Sequence, residues 1–349
     1  MPIVQSRRHL LTNVAVAGAT GFAGLGASGL YGDRKSFAAE PPPEITTIRL
    51  ERDTGTCIAP QVIEELLRAE GFTDIRYVDV TLEHVRRAEA ANVGVLSDMI
   101  SRGEVDFARD FAPSHLLTLN AGAPVIILAG LHLGCFEVIA KEDIRTFADL
   151  KGRIVGSAAS HKPLLSIMAS LIGLDPARDI RWVETLFADP MQLFMEGKID
   201  AFPATPPVLQ EVRARNIGHV IASSMSDRPW SQYYCCLLGT RTEFAHKFPV
   251  ATKRLLRAIL KGADLCVSQP ARVAQLLVDQ GYSARYDYAL QGLSDMRYDV
   301  WRDYDPEDSL RFYALRLHEA GLVKSDPQKL IADHADWRFL NELRRELKV

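Results

Sequence analysis

The 349-residue chain predicts an α/β fold of two lobes followed by a helical tail. Three observations carry this. β-type runs alternate with amphipathic helical segments from residue 45 to about residue 240, the rhythm of parallel sheets joined by helical crossovers. The alternation runs through residue 130 and starts afresh at 136, as two separate units would. The last fifty residues keep a helical apolar period and contain no β-type run.

The first segment to place is the leader. Residues 13–29, NVAVAGATGFAGLGASG, contain Gly24-x-Gly26-x-x-Gly29, the spacing of a dinucleotide loop, and an overlapping Gly18, Gly21, Gly24 series. Such glycines work only where a strand turns into a helix whose first amides hold a pyrophosphate. Only residues 30–40 separate Gly29 from Pro41-Pro42-Pro43, too few for a crossover helix. The preceding Ser6-Arg7-Arg8-His9-Leu10-Leu11 is a twin-arginine sequence, and the uncharged residues 13–32 follow it. Together they resemble a Tat export signal, with Thr12 departing from the usual lysine. Ser36-Phe37-Ala38 offers small residues to a signal peptidase, so residues 1–38 are expected to be removed and 39–44 to form a Pro-rich linker. A membrane anchor would need about 20 predominantly apolar residues, and glycine dilutes this stretch. The first cysteine is Cys57, too far along for a lipid-modified terminus.

Residues 1–38 carry a net +3, so their removal takes the chain from −3 to −6. An acidic balance argues against nucleic acid as a partner. The remaining chain is long enough for ample core. Five cysteines (Cys57, Cys135, Cys235, Cys236, Cys266) show neither C-x-x-C nor zinc spacing, so no metal and no cofactor is expected. Reduced, buried thiols fit best, and the adjacent pair Cys235-Cys236 should point to opposite faces of a strand.

Element by element, 45–50 predicts a strand, 53–56 a loop, and Pro60, Val62, Ile63, Leu66 and Leu67 a helix closed by Gly71. Strands follow at 75–80, 105–108 and 124–130, with helices at 93–102 and 114–120. The second unit reads strand 136–140, connector 147–152, strand 153–156, helix 164–171, strand 180–183, helix 190–196, strand 201–202 and helix 208–213. A strand at 230–238 precedes helices at 248–268 and 272–280. Helical segments at 304–321 and 329–347 complete the tail.

The stretch from Arg153 to Pro163, RIVGSAASHKP, is the most informative chemically. A strand ends in small residues, Ser160 suits an N-cap, and Pro163 suits the first helical turn. Leu164, Ile167, Met168, Leu171 and Ile172 then form one apolar face, with Ser166 and Ser170 opposite. Free amides and hydroxyls at such a helix start favour an anion or polar group. The pattern is no P-loop, because no glycine precedes Lys162.

Asp149-Leu150-Lys151-Gly152, Arg153-Ile154-Val155-Gly156-Ser157, Ser160-His161, Gly173-Leu174 and Gly197-Lys198-Ile199-Asp200-Ala201 resemble, in order and spacing, the nitrate/sulfonate/taurine family of periplasmic solute-binding proteins of ABC importers. Gly103-Glu104-Val105-Asp106-Phe107 and Phe248-Pro249-Val250-Ala251 extend the likeness from about Thr47 to about Gln280. The resemblance implies a type II periplasmic-binding-protein fold, two α/β lobes closing over a cleft about a two-strand hinge. Lobe 1 would comprise 45–145 and 228–349, lobe 2 would comprise 146–227, and the crossings would fall near 142–149 and 224–231.

The implied function is that of a periplasmic receptor, monomeric, handing a small organic anion such as a sulfonate or carboxylate to an inner-membrane permease and its ATPase. By position, the ligand would meet Thr54 and Thr56 in the loop reaching Cys57, then Arg109, Asp110 and Phe111 from lobe 1. Ser157, Ser160, His161 and Thr205 would come from lobe 2, with Trp230 and Tyr233 as aromatic walls near the second crossing. Other roles stay open. Arg109 and Asp110 could neutralise each other at the surface, His161 could simply start a helix, Trp230 and Tyr233 could be core, and His132 is a lesser candidate. Arg109-Asp110-Phe111-Ala112-Pro113 departs from the loop associated with nitrate or taurine receptors. The alternatives are binding of a thiamine-pyrimidine precursor or an enzyme, a synthase or decarboxylase, on the same frame. An enzyme would need a converging catalytic set, and neither H-E-x-x-H nor G-x-S-x-G is present.

Overall fold

A computed structural model describes residues 40–185 and 189–347. The expected leader, its glycines and its cleavage site lie outside the described residues, apart from the linker at 40–44. The described residues form strands β1 (Thr47–Arg52), β2 (Asp74–Asp79), β3 (Phe107–Phe111), β4 (Val125–Leu133), β5 (Glu137–Ala140), β6 (Ile154–Ser157), β7 (Arg181–Glu184), β8 (Ala201–Ala204), β9 (His219–Ser223) and β10 (Tyr234–Arg241).

Two five-stranded sheets result, ordered β2-β1-β3-β10-β4 and β7-β6-β8-β5-β9. Each repeats one plan. Four strands run the same way, and the remaining one, β10 or β5, lies antiparallel between two of them. Parallel neighbours require crossovers, supplied by helices such as Glu64–Ala69 and Val95–Ser101 in the first lobe and Lys162–Leu171 and Pro190–Met195 in the second. β3, β4, β5 and β8 are buried along their whole length, as strands covered on both faces must be.

The first crossing comes earlier than expected. β5 is already part of the second sheet, so the chain changes lobes at 134–136, straight out of β4, and not at 142–149. An apolar strand does not reveal by its own composition which sheet it joins. The return runs through 224–233, where Pro229 and the 3-10 turn Trp230–Gln232 delay the strand expected at 230–238 until Tyr234.

The two crossings lie side by side. The Ser224 hydroxyl oxygen accepts from the amides of Cys135 and Phe136, both at 3.0 Å, and donates to the Phe136 carbonyl at 2.9 Å. The Ser224 amide donates to that same carbonyl at 2.9 Å. Gly134 is required here, because a Cβ would run into the backbone of Ser224 and Met225.

Beyond β10 the chain is helical, and the long helix Pro249–Ser268 packs against the first lobe. The helix expected at 329–347 is two helices, Pro327–His334 and Arg338–Glu346. Between them Ala335 bridges Ile127, and the Asp336 amide donates to the Ile127 carbonyl at 2.9 Å, so sheet contact interrupts the helical period. Helices Leu82–Ala91 and Tyr286–Asp295 and strand β9 also form. The first of these carries few apolar residues and is started by the Thr81 side chain, which accepts from the His84 amide.

Candidate functional site

The carboxyl ends of the parallel strands from both sheets converge on one cavity of about 210 Å³. The loop after β1 brings Asp53, Thr54 and Cys57, and the end of β3 brings Arg109, Asp110 and Phe111. From the second sheet come Ala158–His161 after β6 and Thr205-Pro206 after β8. Ligands of α/β proteins sit at such strand ends. Where the two loops approach most closely, Gly55 has φ +106° and leaves no room for a side chain against the Pro206 carbonyl. The Ser114 hydroxyl also reaches the Ser160 carbonyl at 3.3 Å, so the lobes touch beside the cavity.

Arg109 and Asp110 do not neutralise each other. Successive residues of a strand point to opposite faces. The Arg109 guanidinium pairs with Asp53 at 2.7 Å and is 6% exposed, while its Nε is buried without a partner. Burial works against its charge, but the acidic groups around it, Asp53 foremost, together more than compensate and keep it protonated. Asp110 turns the other way and accepts from the Ser97 amide and hydroxyl, at 3.0 and 2.8 Å, holding the first turn of the helix Val95–Ser101. Beneath Arg109 lies Glu51, fully buried, accepting from the Arg109 amide at 3.1 Å and from Gln61 at 2.9 Å. Burial pushes its carboxyl up to about 7, against the pull of Arg109.

His161, not Ser160, is the N-cap of the helix Lys162–Leu171, and it makes no side-chain cap. The amides of His161 and Lys162 both donate to the Ala158 carbonyl, at 3.0 and 3.1 Å. The turn therefore consumes amides that an anion would otherwise meet, and the polar offer shifts to side chains. The His161 ring leans on Phe111 with centroids 4.7 Å apart, its Nδ1 lies 3.3 Å from the Ser160 hydroxyl, and its Nε2 is buried without a partner. Burial lowers its pKa to about 4, so the ring is neutral at ordinary pH.

Of the residues expected to meet a ligand, Thr54, Arg109, Asp110, Phe111, Ser160, His161 and Thr205 line this cavity, whereas Thr56, Ser157, Trp230 and Tyr233 do not. The Thr56 carbonyl accepts from the Tyr298 hydroxyl at 2.5 Å, which turns the residue into the first lobe. Ser157 is buried at the end of β6 and donates to the Ala158 carbonyl. Tyr233 stacks on Phe312 at 4.0 Å, and Trp230 meets the same ring edge-on at 5.7 Å. Both rings bind the second crossing to the helix Pro306–Glu319. Apart from Phe111, the apolar lining of the cavity is instead aliphatic: Val80, Val85, Val95, Leu96 and Pro206. Val85 sits on a helix whose charges hid it. Asp53, the partner of Arg109, gave no signal beyond its place at a strand end.

The cavity thus combines one guanidinium offset by one carboxylate, a neutral imidazole with a free nitrogen, and an apolar wall. It suits a small organic molecule with one polar or acidic head. Comparison with known proteins follows the same direction. Residues 79–273 match the family described as NMT1/THI5 like. The nitrate import ATP-binding protein NrtC of Synechocystis is 22% identical over 286 residues, covering 74% of this chain and 42% of its own length. The chain therefore spans well under half of that relative. Among solved structures, the periplasmic nitrate-binding protein NrtA from Synechocystis superposes with a TM-score of 0.73 at 15% identity, covering 88% of this chain and 91% of the other. The alkanesulfonate-binding protein SsuA from Xanthomonas axonopodis, bound to MOPS, gives 0.68 at 16% identity, covering 86% and 100%. These likenesses establish the two-lobe fold.

Proposed function

Since the chain belongs to the NMT1/THI5-like family, we propose that it is the substrate-binding receptor of an ABC importer, closing its two lobes over a small organic solute. The observation that carries this reading is the cavity lined from both sheets, with Arg109 Nε and His161 Nε2 buried and unpartnered beside it. Buried donors and acceptors without partners are costly, and a ligand that supplies them recovers that cost. A sulfonate or carboxylate would engage the remaining donors of Arg109. The aliphatic wall would hold the body of the molecule, and the neutral His161 would accept or donate one further bond. The name of NrtC, a nitrate import ATP-binding protein, supports an ATPase as a partner, and an importer would add a membrane permease. Among the described residues no helix is long and apolar enough to cross a membrane. We place the receptor in the periplasm, delivered by the twin-arginine leader and acting as a monomer.

Thermal-shift screening of the protein against sulfonates, carboxylates and thiamine pyrimidines, followed by calorimetry, tests this reading. At least one class should stabilise the fold and be recovered chemically unchanged, whereas turnover would identify an enzyme and defeat the proposal. Arg109→Ala should weaken binding about tenfold or more, on the order of 1.5 to 3 kcal/mol for a lost charge-assisted bond. Unchanged affinity would remove Arg109 from the site.

A further inference from the structure

Four of the five cysteines meet in one buried cluster, although they come from three separated stretches. Cys57 closes the loop after β1, Cys135 lies in the first crossing, and Cys235 and Cys236 open β10. The sulfurs of Cys135 and Cys235 are 3.3 Å apart. Those of Cys135, Cys235 and Cys236 lie within 4.8 Å of one another, and Cys57, Cys135 and a ring nitrogen of His132 form a second set of the same size. Cys135 belongs to both. Adjacent cysteines on a regular strand would face opposite ways, but here the strand bulges. Tyr234 pairs with Leu133 and Cys236 with His132, which leaves Cys235 without an opposite residue and free to turn toward the cluster.

His132 is the second observation that points to a ligand. It is 0% exposed, and its Nδ1 lies 3.0 Å from the Leu133 carbonyl, which can only accept. In its neutral form the ring therefore carries its proton on Nδ1. That leaves the lone pair on Nε2, which is buried with no partner. A backbone carbonyl fixing Nδ1–H while Nε2 is offered among sulfurs is the usual support of a metal-binding imidazole.

We propose that Cys57, Cys135 and His132 Nε2 hold one thiophilic d¹⁰ cation, Zn²⁺ or Cu⁺, with Cys236 drawn in as the fourth ligand from the set that shares Cys135, and Cys235 alongside. Tetrahedral thiolate–imidazole coordination at Zn–S distances of about 2.3 Å sets sulfurs roughly 3.8 Å apart, within the spread of this cluster. Each thiol that coordinates releases its proton to solvent, so binding tightens as pH rises. Cys57 also lines the ligand cavity, which gives an ion a route inward. Once bound, the ion ties the first crossing and the end of the return to the β1 loop.

The test uses the full chain purified under reducing, oxygen-free conditions. About one equivalent of Zn²⁺ or Cu⁺ should survive desalting, with the two arms deciding which ion is preferred. The Co²⁺-loaded protein should show thiolate-to-cobalt charge-transfer absorption. Cys135→Ser and His132→Ala should each weaken retention about tenfold or more, and Cys266→Ser, a buried thiol elsewhere, should leave it unchanged. Should either cluster variant fail to fold, alkylation of the wild-type protein decides: bound metal should protect Cys57, Cys135 and Cys236 against labelling. Failure of the reduced protein to retain either ion overturns the proposal. So does retention indifferent to Cys135→Ser, or a Cys135–Cys235 disulfide that persists under these conditions and excludes metal.

Discussion

Glu51 touches no solvent, yet it sits under the one guanidinium of the cavity. Its carboxyl, raised by burial from 4.5 to about 7, binds its proton more tightly in the folded chain than in the unfolded one. The contribution to stability is therefore complete below about pH 4.5 and is lost as pH rises through 7. Glu51→Gln, which keeps a neutral acceptor for the Arg109 amide, should flatten that dependence. Denaturant unfolding at several pH values should show the variant gaining on the wild type between pH 5 and pH 8, by up to about 3 kcal/mol. An offset that does not change with pH would show that Glu51 is ionised in the fold throughout. Arg109 was legible in the sequence because it stands at a strand end, where cavities form. Its pairing with Asp53, 56 residues away, was not, since that depends on the register of two strands.

At the scale of elements, the alternation of strands and crossover helices was readable wherever apolar period and turn residues agreed. The losses have physical causes. The helix Leu82–Ala91 has only Leu82 and Val85 as large apolar residues, too few to show a period, and the final helical stretch is broken by the sheet contact of Ala335. The change of lobes at 134–136 rests on Gly134, whose missing side chain lets Ser224 come close. Gly134→Ala should force these segments apart and destabilise the protein by about 1 to 3 kcal/mol, as overpacking does. Equilibrium unfolding will measure it. A loss smaller than about 0.5 kcal/mol would mean that the crossing gives way without strain.

For the whole molecule, the two-lobe plan was legible from the repeated rhythm, whereas the contacts that hold the lobes together were not. Arg213 in the second lobe pairs with its own Glu137 at 2.7 Å and reaches Asp295, on the helix Tyr286–Asp295, at 2.6 Å. Asp295→Ala removes only the contact between lobes and leaves Glu137 paired. The lobes should then open more readily. Ligand affinity should fall roughly threefold, the worth of a partly exposed ion pair, and small-angle scattering should show a larger ligand-free particle. Identical scattering curves would place closure elsewhere, at the contact of Ser114 with Ser160 or of Gly55 with Pro206.

The single hydroxyl of Ser224, bonded to three backbone groups of the other crossing, sets the kind of movement open to the protein. Two independent cords would let the halves slide, twist and bend. Two cords sewn together make a ribbon, and a ribbon bends across its flat face but resists shear within its plane. In the proposed closure, opening should therefore follow little more than one coordinate, and each closure should return Arg109 and His161 to the same separation.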